Sequence, residues 1–187
     1  WKKHIDHISK KISRSIGIFY KLRQYVNSDT MLSLYYTLVY PYLTYCNIIW
    51  GNACKTYLKP LFLIQKRIIR ILSNVQFLEH TKPLFKNLNI LKIDLIYKYS
   101  VGQFMFRFYK GDMLTIFSNM FTYNENLHDH FTRQAKNLHI PAVRLNMAKR
   151  FISYAGTVIW NDFVSILDVN CSLYTFKREL KKVLITE

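Results

Sequence analysis

Residues 1–26 constrain the fold of this chain most, because they carry one amphipathic pattern with two separate faces. At about 100° per residue, apolar side chains recur on a single arc of a helix: Ile5, Ile8, Ile12, Ile16, Phe19 and Leu22. Four cations share another face, within roughly 40° of one another: Lys3, Lys10, Arg14 and Lys21. Such a row suits the regularly spaced phosphates of a nucleic acid. A solvated basic face that binds nothing is the alternative interpretation.

The charge balance favours an anionic partner. The 187 residues carry 27 Lys and Arg against 11 Asp and Glu, a formal net charge of +16 at pH 7. Residues 1–78 contain only two acids, Asp6 and Asp29. An excess of this size indicates binding to nucleic acid or to an anionic membrane surface. Because 50% of the residues are hydrophobic and 16% aromatic, we expect a folded core rather than a disordered basic tail.

Apolar periodicity predicts two more helices before residue 74. The first is expected over residues 30–50, capped by Ser28 or Asp29 and bent at Pro41, where the ring removes a backbone donor. The next is expected over residues 56–73, with an apolar arc of Leu58, Leu61, Phe62, Gln65, Ile68, Ile69 and Leu72. Its opposite arc is basic and contains no acid: Lys55, Lys59, Lys66, Arg67 and Arg70. Two of the first three helices therefore present cationic faces.

The remaining sequence predicts shorter helices separated by polar loops. Helical patterns cover residues 94–109, 113–121, 151–163 and 172–184, with a short helical turn near Thr81 and Pro83. The alternating segment LHIPAVRL predicts a short strand or an extended arm. We therefore predict a mainly α fold: a thumb-like helical bundle over residues 1–74 and a second small helical module over residues 75–187.

No residue pattern predicts catalysis or a bound cofactor. Cys46, Cys54 and Cys171 form no C-x-x-C pair, and the aspartates are scattered without an Asp-Asp pair for two-metal chemistry. A Cys–His nucleophile pair stays open, although the two earlier thiols lie in surroundings typical of inert cysteines. His128 and His130, near Glu125 and Asp129, form either a metal cluster or a polar loop, and we favour the loop. We predict no catalytic residue, no metal ligand and no cofactor in this chain.

Membrane and targeting signals are also missing from the sequence. No secretory signal opens the chain, and no apolar run approaches the roughly 20 residues that span a bilayer. We therefore expect no transmembrane segment and an intracellular location, in the nucleus and cytoplasm. The chain begins with Trp1 rather than Met, so we expect it to be a fragment of a longer protein.

Several stretches, in order, resemble one known family. The motif W-x-x-H-I-x-x-I-x-x-K-I-x-x-x-I-G begins at Trp1, P-Y-L-x-Y-C-N-x-x-W-G begins at Pro41, and L-x-x-L-x-x-x-Q-K-R-x-I-R-I begins at Leu58. Shorter matches follow at His80–Phe85, Thr132–Arg133, Gly156–Asn161 and Phe176–Lys181. Together they resemble the region after the palm of non-LTR retrotransposon reverse transcriptases of the LINE, jockey-like kind. The likeness covers nearly the whole chain, and its strength lies in the shared order of the motifs.

The resemblance implies the thumb and C-terminal extension of an RNA-directed DNA polymerase. In that family the thumb grips the template–primer duplex, beside the palm and fingers upstream in the same polyprotein. The catalytic aspartates of the Y-x-D-D motif, with their Mg²⁺, belong to the palm and are absent from this sequence. The sequence also lacks the Cys/His knuckle that some related elements carry after the thumb.

Charge pattern and resemblance agree on one functional prediction. We expect the chain to bind the backbone of an RNA/DNA template–primer duplex without catalysing a reaction. The predicted contacts come from the two basic helical faces: Lys3, Lys10, Arg14, Lys21, Lys59, Lys66, Arg67 and Arg70. The alternative is a basic helical module that binds a protein partner or an anionic membrane surface.

Overall fold

The computed structural model describes residues 1–117, 119–127 and 133–186, and across these residues the chain is mainly α-helical. The α-helices of these residues are α1 (Lys2–Leu22), α2 (Ser28–Leu38), α3 (Tyr40–Thr44), α4 (Asn47–Trp50), α5 (Lys55–Leu72), α6 (Thr81–Asn87), α7 (Ile93–Tyr109), α8 (Ile152–Val164) and α9 (Leu173–Thr186). Within the described residues between α7 and α8 there are three 3₁₀ turns: Thr115–Phe117, Asn124–Asn126 and Ala148–Arg150. The described ranges contain no β-strand, only an isolated antiparallel bridge between Tyr123 and Leu138. The predicted mainly α class is confirmed.

The chain forms two compact units. The first comprises residues 1–97 with the last residues from Leu184, and the second comprises residues 98–183. The sequence predicts a domain boundary at residue 74, whereas the compact units divide after Tyr97. Residues 75–97 belong to the first unit because Phe85 stacks on Phe62 of α5, and because the buried Gln65 of α5 hydrogen-bonds the backbone just before α7.

Helices α1 and α5 pack against each other more extensively than any other pair in the first unit. Their predicted apolar arcs supply the core, since Ile8, Ile12, Leu61 and Ile68 are each at most 3% exposed. The two helices run in the same direction: His4 near the start of α1 makes an edge-on ring contact with Trp50, which closely precedes α5. Because the predicted arcs are the buried ones, the predicted helical phase of α1 and α5 is correct.

The predicted helix over residues 30–50 is wrong as one element, because the chain divides it into α2, α3 and α4. The first break falls at Val39, just before Pro41, which has no backbone N–H to continue the helical ladder. The second falls at Cys46, whose φ of 49° is left-handed. The cap of α2 is Asn27, not Ser28 or Asp29: its side chain accepts a hydrogen bond from the Thr30 N–H at 2.9 Å.

The second unit is built on aromatic packing. Phe106 of α7 stacks on Phe176 of α9 with ring centroids 4.3 Å apart, and Trp160 of α8 is buried. The segment that begins near Leu138 is fixed to α8, because the Asn161 amide both accepts from the Leu138 N–H and donates to its carbonyl. The predicted short strand does not form in this segment, where Leu138 makes only the isolated bridge to Tyr123.

The helix predicted over residues 113–121 is wrong for the described part of that segment, which contains only the 3₁₀ turn Thr115–Phe117. Its apolar side chains pack without helical spacing. Phe117 lies edge-on to Phe104 and Phe121 edge-on to Phe108, so ring contacts with α7 bury the aromatic surface of an irregular backbone.

Candidate nucleic-acid interface

A groove of about 790 Å³ lies between α1 and α5. We call it the α1–α5 groove, and its lining residues are Ser13, Ile16, Gly17, Tyr20, Lys21, Leu63, Ile64, Arg67, Arg70 and Phe77. A depression of about 420 Å³ shares four of these residues and continues past the end of α5. We call it the groove extension, and it is lined by Tyr20, Arg23, Arg67, Arg70, Ile71, Asn74, Val75, Gln76 and Phe77.

Local sequence explains why a groove opens here. The groove side of α1 carries small residues, Ser13 and Gly17, and a Cβ built at Gly17 would meet no atom within 4 Å. On α5, Leu63, Arg67 and Arg70 are spaced at i, i+4 and i+7, which aligns them on one face of the helix. The floor of the groove is therefore recessed on the α1 side and lined by long side chains on the α5 side.

The groove and its extension are strongly cationic. Lys21, Arg23, Arg67 and Arg70 line them, and no acidic residue does so among the residues that the structure describes. Arg70 is held in place, because its Nε donates a hydrogen bond to the Glu79 carbonyl at 2.9 Å. Four like charges converging without a carboxylate create a positive potential that attracts phosphate.

Two aromatic rings flank these cations. The Arg23 guanidinium lies over the Tyr20 ring at 4.3 Å from its centroid, and the Arg70 guanidinium lies 5.7 Å from the centroid of Phe77. Both rings remain open to solvent, Tyr20 at 53% and Phe77 at 71% exposure. The site therefore combines positive charge with exposed aromatic surface.

The structure divides the eight predicted contact residues into two groups. Three of them meet in the groove: Lys21, Arg67 and Arg70. The others do not line it: Lys3, Lys10 and Arg14 on α1 and Lys59 and Lys66 on α5. The α1 cations of this second group are exposed on the arc opposite the buried isoleucines, and we call them the outer row. Lys66 is half-buried, with its Nζ 4.6 Å from the centroid of the Phe62 ring.

The sequence prediction missed Arg23, Tyr20 and Phe77. Arg23 follows Tyr20 by three residues, a spacing that brings side chains together on a helix and would have indicated their contact. Phe77 lies in an irregular turn with no periodic pattern, so the sequence carries no signal that it reaches the groove.

Other candidate sites gain no support. No cluster of three His, Cys, Asp or Glu side chains capable of holding a metal occurs within residues 1–117, 119–127 and 133–186. The proposed pair His128 and His130 lies outside the described residues, as does Asp129. Cys46, Cys54 and Cys171 form no disulfide in the part of the chain that the structure describes. No helix in the described part of the chain is both long enough and apolar enough to cross a membrane.

No protein-family model, curated protein or solved structure matches this chain. The resemblance to retrotransposon reverse transcriptases therefore rests on the sequence motifs alone.

Proposed function

We propose that the chain binds the phosphate backbone of an RNA–DNA or RNA duplex through the α1–α5 groove. It would do so as the non-catalytic thumb and C-terminal part of a retrotransposon reverse transcriptase, next to upstream palm and fingers. One observation carries this proposal: Lys21, Arg67 and Arg70, predicted from two separate helical faces, line one groove together. Arg23 adds a fourth cation in the groove extension.

The chemistry of the groove favours phosphate over base recognition. Its polar lining on α1 and α5 consists of one serine, one tyrosine, one lysine and two arginines, and the side chains of Lys and Arg are the main partners of phosphate oxygens. Amides suited to reading base edges, Asn74 and Gln76, line only the groove extension. Binding in the groove itself is therefore largely independent of sequence.

The placement of these cations along a groove also favours a nucleic acid over the alternative partners. A ridge of phosphates enters a groove between two helices, whereas a bilayer presents a broad surface that is met best by an exposed amphipathic face. An uncharged apolar protein segment would contact Ile16, Leu63 and Ile64 but would leave the cations without a matching charge.

A salt titration with matched variants tests the proposal. Affinity for a fluorescent RNA–DNA hybrid is measured by anisotropy across a salt series for wild type, a groove variant (Lys21→Gln with Arg67→Gln) and an outer-row variant (Lys10→Gln with Arg14→Gln). Both variants lose the same two charges from exposed positions. We expect the groove variant to lower the log–log salt slope by about 1.4–1.8, since each lost phosphate contact removes roughly 0.7–0.9.

The outer-row variant should change the slope much less, because its cations lie outside the groove. An equal decrease of the log–log salt slope in the two variants would contradict binding at the groove. A wild-type slope near zero, or binding to anionic vesicles with no binding to the hybrid, would overturn nucleic-acid binding in favour of the alternative module.

A further inference from the structure

We infer that the groove extension binds an unpaired base of a single-stranded segment, with Tyr20 and Phe77 as stacking surfaces. This inference rests on the proposed function, because it places the single strand beside the duplex-binding groove. It would let the chain hold a template or product strand where that strand leaves the duplex.

The aromatic rings carry the first part of the inference. Phe77 has no polar atom and is 71% exposed at the edge of a cationic site, a position that contributes little to the hydrophobic core. Tyr20 is 53% exposed even though a guanidinium lies over its ring. Every nucleobase has a flat π face, and stacking on exposed rings is the usual way in which proteins bind single strands.

The backbone after α5 holds Phe77 in position. Asn74 adopts a left-handed φ of 51°, which ends the helix. The Val75 N–H then donates to the Arg70 carbonyl, and the Arg70 Nε donates to the Glu79 carbonyl, so the turn over residues 74–79 is tied to the last turn of α5 at both ends. These two hydrogen bonds therefore hold the turn that carries the Phe77 ring.

The polar residues of the groove extension match the rest of a nucleotide. Asn74 and Gln76 are exposed and offer amide donors and acceptors to the edge of a base. Arg23 and Arg67 supply charge for the flanking phosphates. A volume of about 420 Å³ lies within the usual range for small-ligand sites, so the depression accommodates one nucleobase.

A single strand fits this set of groups better than a duplex does. Bases within a duplex are already stacked on their neighbours, so their faces are closed to a protein ring, whereas unpaired bases offer both face and edge. An acidic protein segment would satisfy the cations but offers no flat base to the two exposed rings.

The test compares ring-removing variants on single-stranded and duplex probes. Affinities are measured by anisotropy for a short oligo-U strand and for a blunt RNA–DNA hybrid, with Phe77→Ala, Tyr20→Ala, and Phe77→Leu, which keeps apolar bulk without a ring. Tyr25→Ala is the matched control, because Tyr25 is 82% exposed and lines neither the groove nor its extension. Circular dichroism verifies that each variant folds.

We expect Phe77→Ala and Tyr20→Ala each to weaken oligo-U binding by roughly 5- to 150-fold, the loss typical of one base–aromatic stack. Phe77→Leu should weaken it similarly. Both rings also line the α1–α5 groove, so binding to the blunt hybrid should fall as well, but by clearly less than oligo-U binding, and Tyr25→Ala should change neither affinity. Photocrosslinking of a 5-iodouracil strand should label Tyr20 or Phe77.

The outcomes separate this inference from the proposed function. Salt-dependent hybrid binding together with unchanged oligo-U affinity in the ring variants would overturn the inference and leave the proposed function standing. Equal losses on both probes would also overturn it, because the rings would then serve the duplex. If wild type binds neither probe but binds an acidic polypeptide, both proposals fall.

Discussion

Replacing Gln65 with Leu tests what fixes the orientation of α5, the helix that presents two of the groove cations. Gln65 is 1% exposed, and its amide is fully used. Its Nε2 donates to the Tyr35 hydroxyl at 3.0 Å and to the Leu91 carbonyl at 2.9 Å. Its Oε1 accepts from the Ile93 N–H at 3.1 Å. One side chain thus joins α5 to α2 and to the start of α7.

The magnitude follows from the groups that the substitution leaves behind. Leucine is close in volume to glutamine, so the loss is mainly polar: a hydroxyl, a carbonyl and an N–H stay buried without their partner. Each costs about 1–3 kcal/mol of unfolding free energy, and the added apolar burial returns about 1–2 kcal/mol. Because losses above about 4–5 kcal/mol are exceptional for one substitution, we expect a net loss of about 2–5 kcal/mol.

Urea unfolding followed by far-UV circular dichroism measures this loss. Gln24→Leu is the matched control, since Gln24 is exposed and the same chemical change there should cost no more than about 0.5 kcal/mol. A double-mutant cycle with Tyr35→Phe should give a coupling energy of about 0.5–3 kcal/mol, because the two side chains share a hydrogen bond. A loss below about 1 kcal/mol, or one equal to that of the control, would refute the view that Gln65 holds α5 in place.

Four other outcomes are expected. Ile12→Ala should cost about 2–5 kcal/mol in the same urea assay, because Ile12 is 1% exposed; a loss near zero would contradict its core position. Gly51→Ala should cost about 1–3 kcal/mol of unfolding free energy, since an added Cβ would lie 2.6 Å from the Asn47 carbonyl oxygen. Unchanged stability would contradict this, because it would show that the backbone near Asn47 shifts to accommodate the methyl group. Burial raises the pKa of the Tyr35 hydroxyl above its ordinary value of 10.0, so above about pH 10 the hydroxyl ionises more readily in the unfolded chain than in the folded one. The free energy of unfolding should therefore stay constant with respect to this group below about pH 10 and fall above it. Urea titrations at several pH values should show a smaller alkaline loss in Tyr35→Phe. The isolated chain should incorporate no nucleotide with Mg²⁺ or Mn²⁺ on any primed template, and metal-dependent extension of the primer by the pure protein would contradict that expectation.

The elements that sequence reasoning predicted well are those with long, regular apolar spacing. Helices α5 and α7 each begin and end within one residue of the predicted bounds, and α1 covers residues 2–22 of the predicted pattern over 1–26, because burial of one continuous face determines them. The segment over residues 30–50 failed at Cys46, since cysteine carries no signal for a left-handed φ. The turn is closed by the buried Trp50, whose indole N–H donates to the Tyr45 carbonyl at 2.8 Å.

The site was predictable only in part, for a geometric reason. The phase of an amphipathic helix identifies the arc that faces away from the core, and that arc on α1 holds Lys3, Lys10, Arg14 and Lys21. Of these only Lys21, in the last turn of α1, lines the groove, and the other α1 residues of the lining come from the flank of the helix. Which flank meets which depends on the parallel run of α1 and α5, a tertiary fact that no single helix encodes.

The division of the cations therefore has a functional meaning under the proposed mode of binding. Arg14 and Lys10 of the outer row share the α1 face of Lys21, but at a rise of about 1.5 Å per residue they lie about 10 Å and about 16 Å before it along the helix axis. Both distances exceed the Debye length of about 8 Å at physiological ionic strength. The outer row then attracts a polyanion at low salt but adds little to the affinity of a strand already seated between Lys21 and Arg67. Because salt screens one set more than the other, variants of equal charge are best compared at physiological ionic strength, where contact alone separates them.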